Sequence, residues 1–166
     1  MPTEPLDEQF VQALAGLLAE IRVANGYHSD AGEHVLTEQM RTALPEDVVT
    51  LAILDANESL SEGANGNGQG LKRRSGRFQV TVQVALPVVL KVGGVPTPQP
   101  VRQQARRIMA DVRRAVASQR FENFITGIIG IDITGRTLPP LDEGSSFQFA
   151  NVDLDVRFTE NHLPKE

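Results

Sequence analysis

The 166-residue chain contains no cysteine and no tryptophan, and aromatic side chains make up only 5% of it. Without cysteine there is no disulfide, no thiolate nucleophile and no thiolate metal ligand. No apolar run approaches the roughly 20 residues that a helix needs to span a bilayer. The N-terminus has no basic segment followed by an apolar one. We therefore expect neither a membrane span nor a signal peptide, and a protein made in a cytoplasm.

The bulk composition is that of an ordinary globular domain. Hydrophobic residues make up 40% of the chain and charged residues 22%, a typical balance. The net charge is −5, so the molecule as a whole does not attract nucleic acid, and any basic surface must be local. The length suits one domain, residues 1–166, with a core of its own.

The spacing of apolar residues predicts two amphipathic helices. The first begins near Leu6 and is expected to end at Asn25-Gly26, where either residue tolerates a left-handed C-terminal cap. Pro100 suits the first turn of the second helix, which is expected to run to about Ser118. The apolar stripe of the second helix is Val101, Ala105, Ile108, Met109, Val112 and Val116. Off this stripe, a basic outer face carries Arg102, Arg106, Arg107, Arg113 and Arg114.

Further apolar patterns predict the strands of a sheet. The continuous run at residues 48–54 indicates a strand covered on both faces, and residues 78–86 alternate cleanly between apolar and polar. Two more strands are expected at residues 126–135 and 147–158. In the second, the apolar residues switch from odd to even positions near Ala150-Asn151, which predicts a β-bulge there. Residues 91–100 read as a loop. The order predicts a single α+β domain with two helices packed on one mixed or antiparallel β-sheet.

A Gly-rich segment, GANGNGQGLKRRSGR at residues 63–77, falls in a predicted loop of residues 57–77. Loops of this length in compact domains are usually functional or disordered. The segment precedes a strand, whereas phosphate-binding loops lead into a helix N-terminus, so a nucleotide site is rejected. A nucleic-acid contact stays open, but a flexible segment that orders against acidic protein surface fits better. A loose tail is expected at residues 161–166.

Residues able to support catalysis or metal binding do not form a recognisable motif. There is no G-x-S-x-G elbow, and the serines lie in turn-forming surroundings. His28, Asp30, Glu33 and His34 cluster in sequence, but they lack the spacing that places two ligands on one helix face. A polar turn is therefore favoured over a metal site. No enzymatic activity and no cofactor are expected.

The last predicted strand carries charges on its polar face. Asp153 and Asp155 alternate with apolar residues, and Arg157 lies nearby. An acid/base pair is one interpretation. A solvated or interface face fits better, because such charges also protect an edge strand from unwanted pairing.

Four stretches, taken in order, resemble the phage tail terminator family, whose members are also called tail completion proteins. The most specific piece is the NGY-x-(S/T)DAG-x-x-V core at residues 25–35. The full set is IRVANGYHSDAGEHV, VVTLAILDANE, RFQVTVQVAL leading to ARRIMADVRRAV, and IIGIDITGRTLPPLDEGSSFQFANVDLDVRF. The resemblance covers roughly Leu6 to Glu160. The long Gly-rich loop is not a fixed feature of the family.

The resemblance implies a structural virion protein without enzymatic activity. Such proteins form a hexameric ring on the head-proximal end of a completed tail tube. The ring stops tube polymerisation and offers a surface for head–tail joining. The implied partners are other copies of the chain, the tail tube protein and a head–tail connector or neck protein. Genomic DNA only passes through the channel, and no membrane is involved.

Three surfaces are predicted to carry the ring contacts: the loop cations, the basic face of the second helix and the polar side of the last strand. Their residues are Lys72, Arg73, Arg74, Arg77, Arg102, Arg106, Arg113, Asp153, Asp155 and Arg157. Two other functions stay open. A connector or stopper protein of the neck would contact portal or adaptor proteins, and a nucleic-acid-binding module would show steeply salt-dependent DNA binding. An enzyme would need a pocket with converging polar groups.

Overall fold

The computed structural model describes residues 4–37, 47–61 and 73–161. They form, in chain order, helix α1 (Leu6–Ala19), strands β1 (Val35–Leu36), β2 (Thr50–Ser61), β3 (Arg73–Pro87), β4 (Val89–Val92) and β5 (Val95–Pro98), helix α2 (Val101–Ser118), and strands β6 (Ile128–Thr137) and β7 (Phe147–Asn161). Short 3-10 turns lie at Val23–Asn25, Ala31–Glu33 and Phe121–Asn123. The tail at residues 162–166 lies outside the described residues, and Asn161 still belongs to β7.

Five strands form one sheet in the order β1-β2-β3-β7-β6. β1 runs parallel to β2, and the other neighbouring pairs are antiparallel. β3 and β7 form the centre, in continuous register from Arg73 opposite Asn161 to Pro87 opposite Phe147. The predicted α+β class, with two helices and a mixed sheet, is confirmed.

Both helices pack on one face of this sheet, and the core lies between the two layers. The even-numbered residues of β3 from 78 to 86 and those of β7 from 148 to 158 are buried on the helix side. The predicted apolar stripe of α2 is buried along its whole length. These residues bury their side chains because alternation along a strand and 3.6-residue spacing along a helix each collect them on one face.

β2 is covered by helices on one face rather than on two. Leu51 and Ile53 are buried on the helix side. On the other face Ala52 and Leu54 are only half-buried. The continuous apolar run in the sequence therefore overstates how deeply this strand is enclosed.

Helix α1 ends earlier than the sequence predicts. Its last residue is Ala19, and Asn25-Gly26 instead closes the 3-10 turn that follows. Gly26 has φ of 86°, the left-handed conformation expected of it. Ile21 is nevertheless buried, so the apolar spacing identifies core residues correctly while overestimating the length of the helix.

Strands β2 and β3 extend into the segment predicted as a loop at residues 57–77. β2 continues to Ser61 and β3 begins at Arg73, with Leu60 opposite Gly76. A Cβ at Gly76 would lie 2.8 Å from the Phe158 ring, so glycine here permits close strand packing. The loop prediction is wrong at both ends, and residues 62–72 lie outside the described residues.

The β-bulge predicted near Ala150-Asn151 is also wrong. β7 pairs with β3 without a register shift there. The odd-numbered Phe147 and Phe149 instead lie on the sheet face away from the helices, with ring centroids 6.1 Å apart. Register shifts occur elsewhere, between Asp55 and Glu58 in β2 and between Ile128 and Gly130 and between Ile133 and Gly135 in β6.

β4 and β5 form a separate hairpin where the sequence predicts a loop. Gly93 and Gly94 make its turn with φ of 59° and 82°, values that favour glycine. Two glycines between apolar residues are the usual signal for such a turn. At its base the Gln99 N–H donates to the Val88 carbonyl oxygen at 2.9 Å, and the Val88 N–H donates to the Ser146 carbonyl oxygen at 3.0 Å, which joins the hairpin to the body.

Candidate assembly interface

The sheet face turned away from the helices is polar, and we call it the outer face. Its central residues are Arg77, Gln79, Thr81 and Gln83 of β3 and Asn151, Asp153, Asp155 and Arg157 of β7. Four residues that the sequence singles out for assembly contacts thus lie together: Arg77, Asp153, Asp155 and Arg157. They share the face because residues two apart in a strand point the same way.

Like charges lie opposite each other on this face, and two ion pairs compensate for them. Arg77 faces Arg157, and Asp155 faces Asp132 of β6, arrangements that destabilise an antiparallel pair when left alone. Arg77 Nη1 lies 3.1 Å from Asp155 Oδ2, and Arg157 Nε lies 3.4 Å from Asp132 Oδ2. Asp155 alone among the four is buried, so its pair with Arg77 is the one less screened by solvent.

The outer face therefore supplies acids for its own arginines. The sequence predicts that Arg77 meets acidic surface on a partner, but Asp155 of the same chain pairs with it. Asp153 accepts a hydrogen bond from the Thr81 hydroxyl at 2.8 Å. Asp132 completes the set and is not among the predicted residues, because only the isoleucines of β6 stand out in the sequence.

The side chains of the other three cations of the Gly-rich segment, Lys72, Arg73 and Arg74, are not described. Lys72 lies outside the described residues. For Arg73 and Arg74 only the backbone is described, in β3, where the two residues pair with Asn161 and Glu160. Their predicted contact with acidic protein surface stays a prediction.

Two arginines of α2 fasten loops of their own chain. Arg114 Nη1 donates to the Gly26 carbonyl oxygen at 2.6 Å, and its guanidinium carbon lies 5.0 Å from the centre of the Tyr27 ring. Arg102 Nη1 donates to the Pro139 carbonyl oxygen at 2.9 Å. Arg102, which the sequence assigns to assembly, thus has a contact within the subunit.

Three further arginines of α2 are available for contacts outside the subunit. Arg106, Arg107 and Arg113 are exposed, and none of them makes an ion pair or hydrogen bond within residues 4–37, 47–61 and 73–161. Arg106 and Arg113 are seven residues apart and lie on the same side of the helix. We call Arg106, Arg113 and Arg120, which lies just past the end of α2, the arginine ridge.

A groove lies between the end of α2 and the edge strand β6. Its volume is about 400 Å³. Ile129 and Ile133 of β6 line it and are 51% and 37% exposed. Val116 and Ala117 form the wall on α2, and Arg120 of the arginine ridge lines the same groove. We call it the α2–β6 groove.

Asp111 joins α2 to the loop that carries the resemblance. It is fully buried, and its carboxylate accepts the His28 backbone N–H at 3.0 Å and the Ser29 hydroxyl at 2.7 Å. Its position on the inner side of α2 also explains why it does not balance the arginines outside. Sequence spacing places Asp111 near the apolar stripe but gives no sign of its distant partners.

Gly32 joins the same loop to α1. Its N–H donates to the Ile21 carbonyl oxygen at 3.0 Å. A Cβ at this position would collide with the carbonyl oxygen of Leu18 and lie 2.7 Å from that of Ala19. The loop can pass this close to the helix end only because residue 32 has no side chain.

The residues that suggest a metal site make other contacts. Asp30 Oδ1 accepts the Val23 N–H at 2.9 Å, and Glu33 pairs with Arg22 at 3.0 Å. Among the residues with described positions, no three His, Asp or Glu side chains are grouped so as to hold a metal ion. His162 lies outside that part of the chain. In the same part, neither helix has the length and apolar character that crossing a bilayer requires.

A scan against protein-family models finds no match for this chain, and a search of curated proteins finds none either. The function is therefore inferred from the residues, their resemblance and their arrangement on the surface.

Proposed function

We propose that the protein is a phage tail terminator, a structural component of the virion. It forms a hexameric ring at the head-proximal end of the tail tube, stops tube polymerisation and presents the surface for head–tail joining. Its partners are other copies of itself, the tail tube protein and a head–tail connector or neck protein. Genomic DNA passes through the channel. Assembly takes place in the host cytoplasm, and the proposal includes no catalysis, cofactor or membrane.

The main support for the proposal is where the stretches that resemble tail terminators lie in the fold. The most specific one, residues 25–35, is the loop that Asp111 and Gly32 fasten to α2 and α1. The others supply the central strands β3 and β7 and most of α2. The resemblance thus follows the framework of the subunit, which supports a shared architecture more strongly than a match confined to exposed loops.

The charge distribution also supports a role in assembly. A terminator needs two unlike faces, since one must dock on the last tube ring and the other must refuse the next tube subunit. On the outer face both arginines pair with aspartates, Arg77 with Asp155 and Arg157 with Asp132. On the helix side the arginine ridge is uncompensated within the described residues. Two such unlike faces suit contacts between different partners.

Electron microscopy of the purified protein with and without tail tubes tests the proposal. The tubes are polymerised from the tail tube protein of the same virus. We expect a ring on one end of each tube. A protein that leaves tube ends bare but binds portal or adaptor protein would identify a connector or stopper instead.

The exposed arginines of α2 favour one other function, a nucleic-acid-binding module. Arg106, Arg107 and Arg113 have no acidic partner among the described residues, and three such cations can neutralise phosphates. In that case the isolated protein binds DNA with an affinity that falls steeply as salt rises. A terminator, through which DNA must pass, is expected to show only weak binding at physiological salt.

A further inference from the structure

Two edges of the five-stranded sheet are open within the described part of the chain. β6 is the last strand at one edge, and at the other edge β1 pairs with β2 only at Leu51 and Ala52. An open edge presents a row of backbone N–H and C=O groups that can pair with another strand. Neither β6 nor β2 contains proline, which would remove an N–H from such a row. Both edges can therefore extend the sheet.

The register with β7 shows which residues of β6 face its open edge. The Thr159 N–H donates to the Gly127 carbonyl oxygen at 2.7 Å, so the odd-numbered residues of β7 direct their backbone groups toward β6. A residue of β6 that lies opposite an even-numbered residue of β7 directs its own groups away from β7, because the two members of such a pair face away from each other. These residues are Ile131, Ile133 and Arg136.

On β2 the residues that face the open edge change parity at a bulge. The Leu51 N–H donates to the His34 carbonyl oxygen at 2.9 Å, so odd-numbered residues face outward at the start of the strand. The register shift between Asp55 and Glu58 inserts one extra residue. Beyond the shift, Glu58 and Leu60 therefore direct their backbone groups toward the open edge.

The two open edges carry opposite charges on the same side of the sheet. Glu58 and Arg136 are both exposed, and neither makes an ion pair or hydrogen bond within residues 4–37, 47–61 and 73–161. They lie opposite Phe78 and Val152, which are buried on the helix side. Opposite charges on facing strands stabilise a pair, so one edge matches the other.

The strand directions allow a second copy to bring these edges together. Three antiparallel steps lead from β2 through β3 and β7 to β6, so β2 and β6 run in opposite directions. Rotation about an axis along the strands keeps these directions in every copy. β2 of a neighbouring copy then meets β6 as an antiparallel partner, and the helices of both copies stay on the same side of the sheet.

We propose that β6 of one copy pairs with the open edge of β2 in the next copy, so that the sheets join into one sheet around the ring. Glu58 lies opposite Arg136 and Leu60 opposite Ile133, with the extra residue of β6 between the two pairs. In this register β6 ends beside the bulge of β2, clear of β1. The contact joins two different edges, so it is head-to-tail and repeats until the ring closes. As a contact within the ring, it rests on the proposed function.

Disulfide trapping tests the contact directly, because the chain has no cysteine of its own. Glu58→Cys and Arg136→Cys are combined in one chain, which is assembled and then oxidised. Within one subunit the two positions are three strands apart, about 14 Å at the usual strand spacing, too far for a disulfide. We expect a ladder of cross-linked species up to the full ring, with about tenfold more trimer and larger species than in the control.

The control for trapping combines Arg136→Cys with Glu8→Cys, on the exposed side of α1. A ladder no stronger than this control overturns the proposal. Arg136→Cys alone has one thiol per chain and can give only dimers. If these dimers form as readily as the ladder, β6 pairs with β6 of another copy in a two-fold contact, and the head-to-tail contact is wrong.

A charge exchange supplies a second measurement that does not depend on cysteine. Glu58→Arg weakens self-association in sedimentation velocity by about tenfold, because two cations then lie opposite each other. Arg136→Glu weakens it similarly, and both changes in one chain restore it. Glu143→Arg, at an exposed position away from both edges, is the matched control and leaves association unchanged. Circular dichroism confirms that each variant is folded. A combined variant that associates no better than its parents overturns the register.

Two outcomes separate the edge contact from the proposed function. If the chain caps tail tubes as a ring but the double-cysteine variant gives no ladder, the edge contact is wrong and the terminator function stands. If the ladder forms but tube ends stay bare, the contact stands and the terminator function fails.

Discussion

At the scale of single residues, Gly32 and Asp111 attach the loop of residues 25–32 to the two helices. Neither residue looks functional in isolation, since one is a glycine after a turn and the other an acid within a helix. Their importance comes from what they meet: backbone carbonyl groups at the end of α1, and an N–H and a hydroxyl in the loop. The stability of single variants measures both contacts.

Gly32→Ala is expected to lower the free energy of unfolding by about 1–3 kcal/mol, the usual cost of overpacking. The added methyl group meets backbone atoms of α1, which cannot rotate away. Gly16→Ala is the matched control. Gly16 lies within α1, and a Cβ added there would have nothing within 4 Å, so alanine should raise stability by about 0.5–1 kcal/mol. If urea unfolding shows that Gly32→Ala is at least as stable as wild type, residue 32 does not pack closely against the end of α1.

Asp111→Ala is expected to lower the free energy of unfolding by about 1–3 kcal/mol, because the His28 N–H and the Ser29 hydroxyl lose the buried carboxylate that accepts from both. Glu143→Ala, which removes an exposed carboxylate, should change stability by no more than about 0.5 kcal/mol. Urea unfolding followed by circular dichroism measures both. Equal midpoints for the two variants would show that Asp111 does not hold the loop.

At the scale of elements, β4 and β5 form a two-stranded sheet of their own, apart from the five-stranded sheet. Replacing Val89–Pro98 by two glycines leaves Val88 and Gln99 to close the gap, as they do at the present hairpin base. Since most of the removed side chains are exposed, the free energy of unfolding should change by no more than about 1 kcal/mol. A scanning calorimetry trace without a cooperative transition would show instead that the hairpin supports the core.

Sequence periodicity predicts the elements whose burial follows one regular repeat. α2 and β3 are predicted with their buried faces because each has a single apolar side over many residues. The bulge prediction on β7 fails because Phe147 and Phe149 are apolar residues on the outer face, and parity alone does not tell which face is covered. The hairpin escapes prediction because prolines are typical of loops, although here they occupy the free edge where strands tolerate them.

The candidate site is only partly predictable for the same physical reason. Charges on one strand share a face by alternation, which collects Asp153, Asp155 and Arg157. Their partners Arg77 and Asp132 come from other strands, and register decides such pairs. The α2–β6 groove depends on which strand forms the sheet edge. Strand order follows from the packing of the whole chain and is not encoded in any local pattern.

At the scale of the whole molecule, the subunit has several unlike surfaces. On the outer face two arginines pair with two aspartates, the arginine ridge is uncompensated within the described residues, and the tip of the β4–β5 hairpin carries exposed valines. The net charge of −5 does not show how unevenly the charges are distributed over these surfaces. Contacts between two unlike surfaces are head-to-tail, and a ring closed by such contacts has two distinct sides.

Arrest of tube growth tests the terminator function most directly. Tail tubes are grown from purified tube protein, the full chain is added during growth, and tube length is followed by electron microscopy. We predict that growth stops, that mean length no longer increases, and that each arrested tube carries a single ring at one end. Tubes that continue to lengthen at the unchanged rate with bare ends would contradict this function.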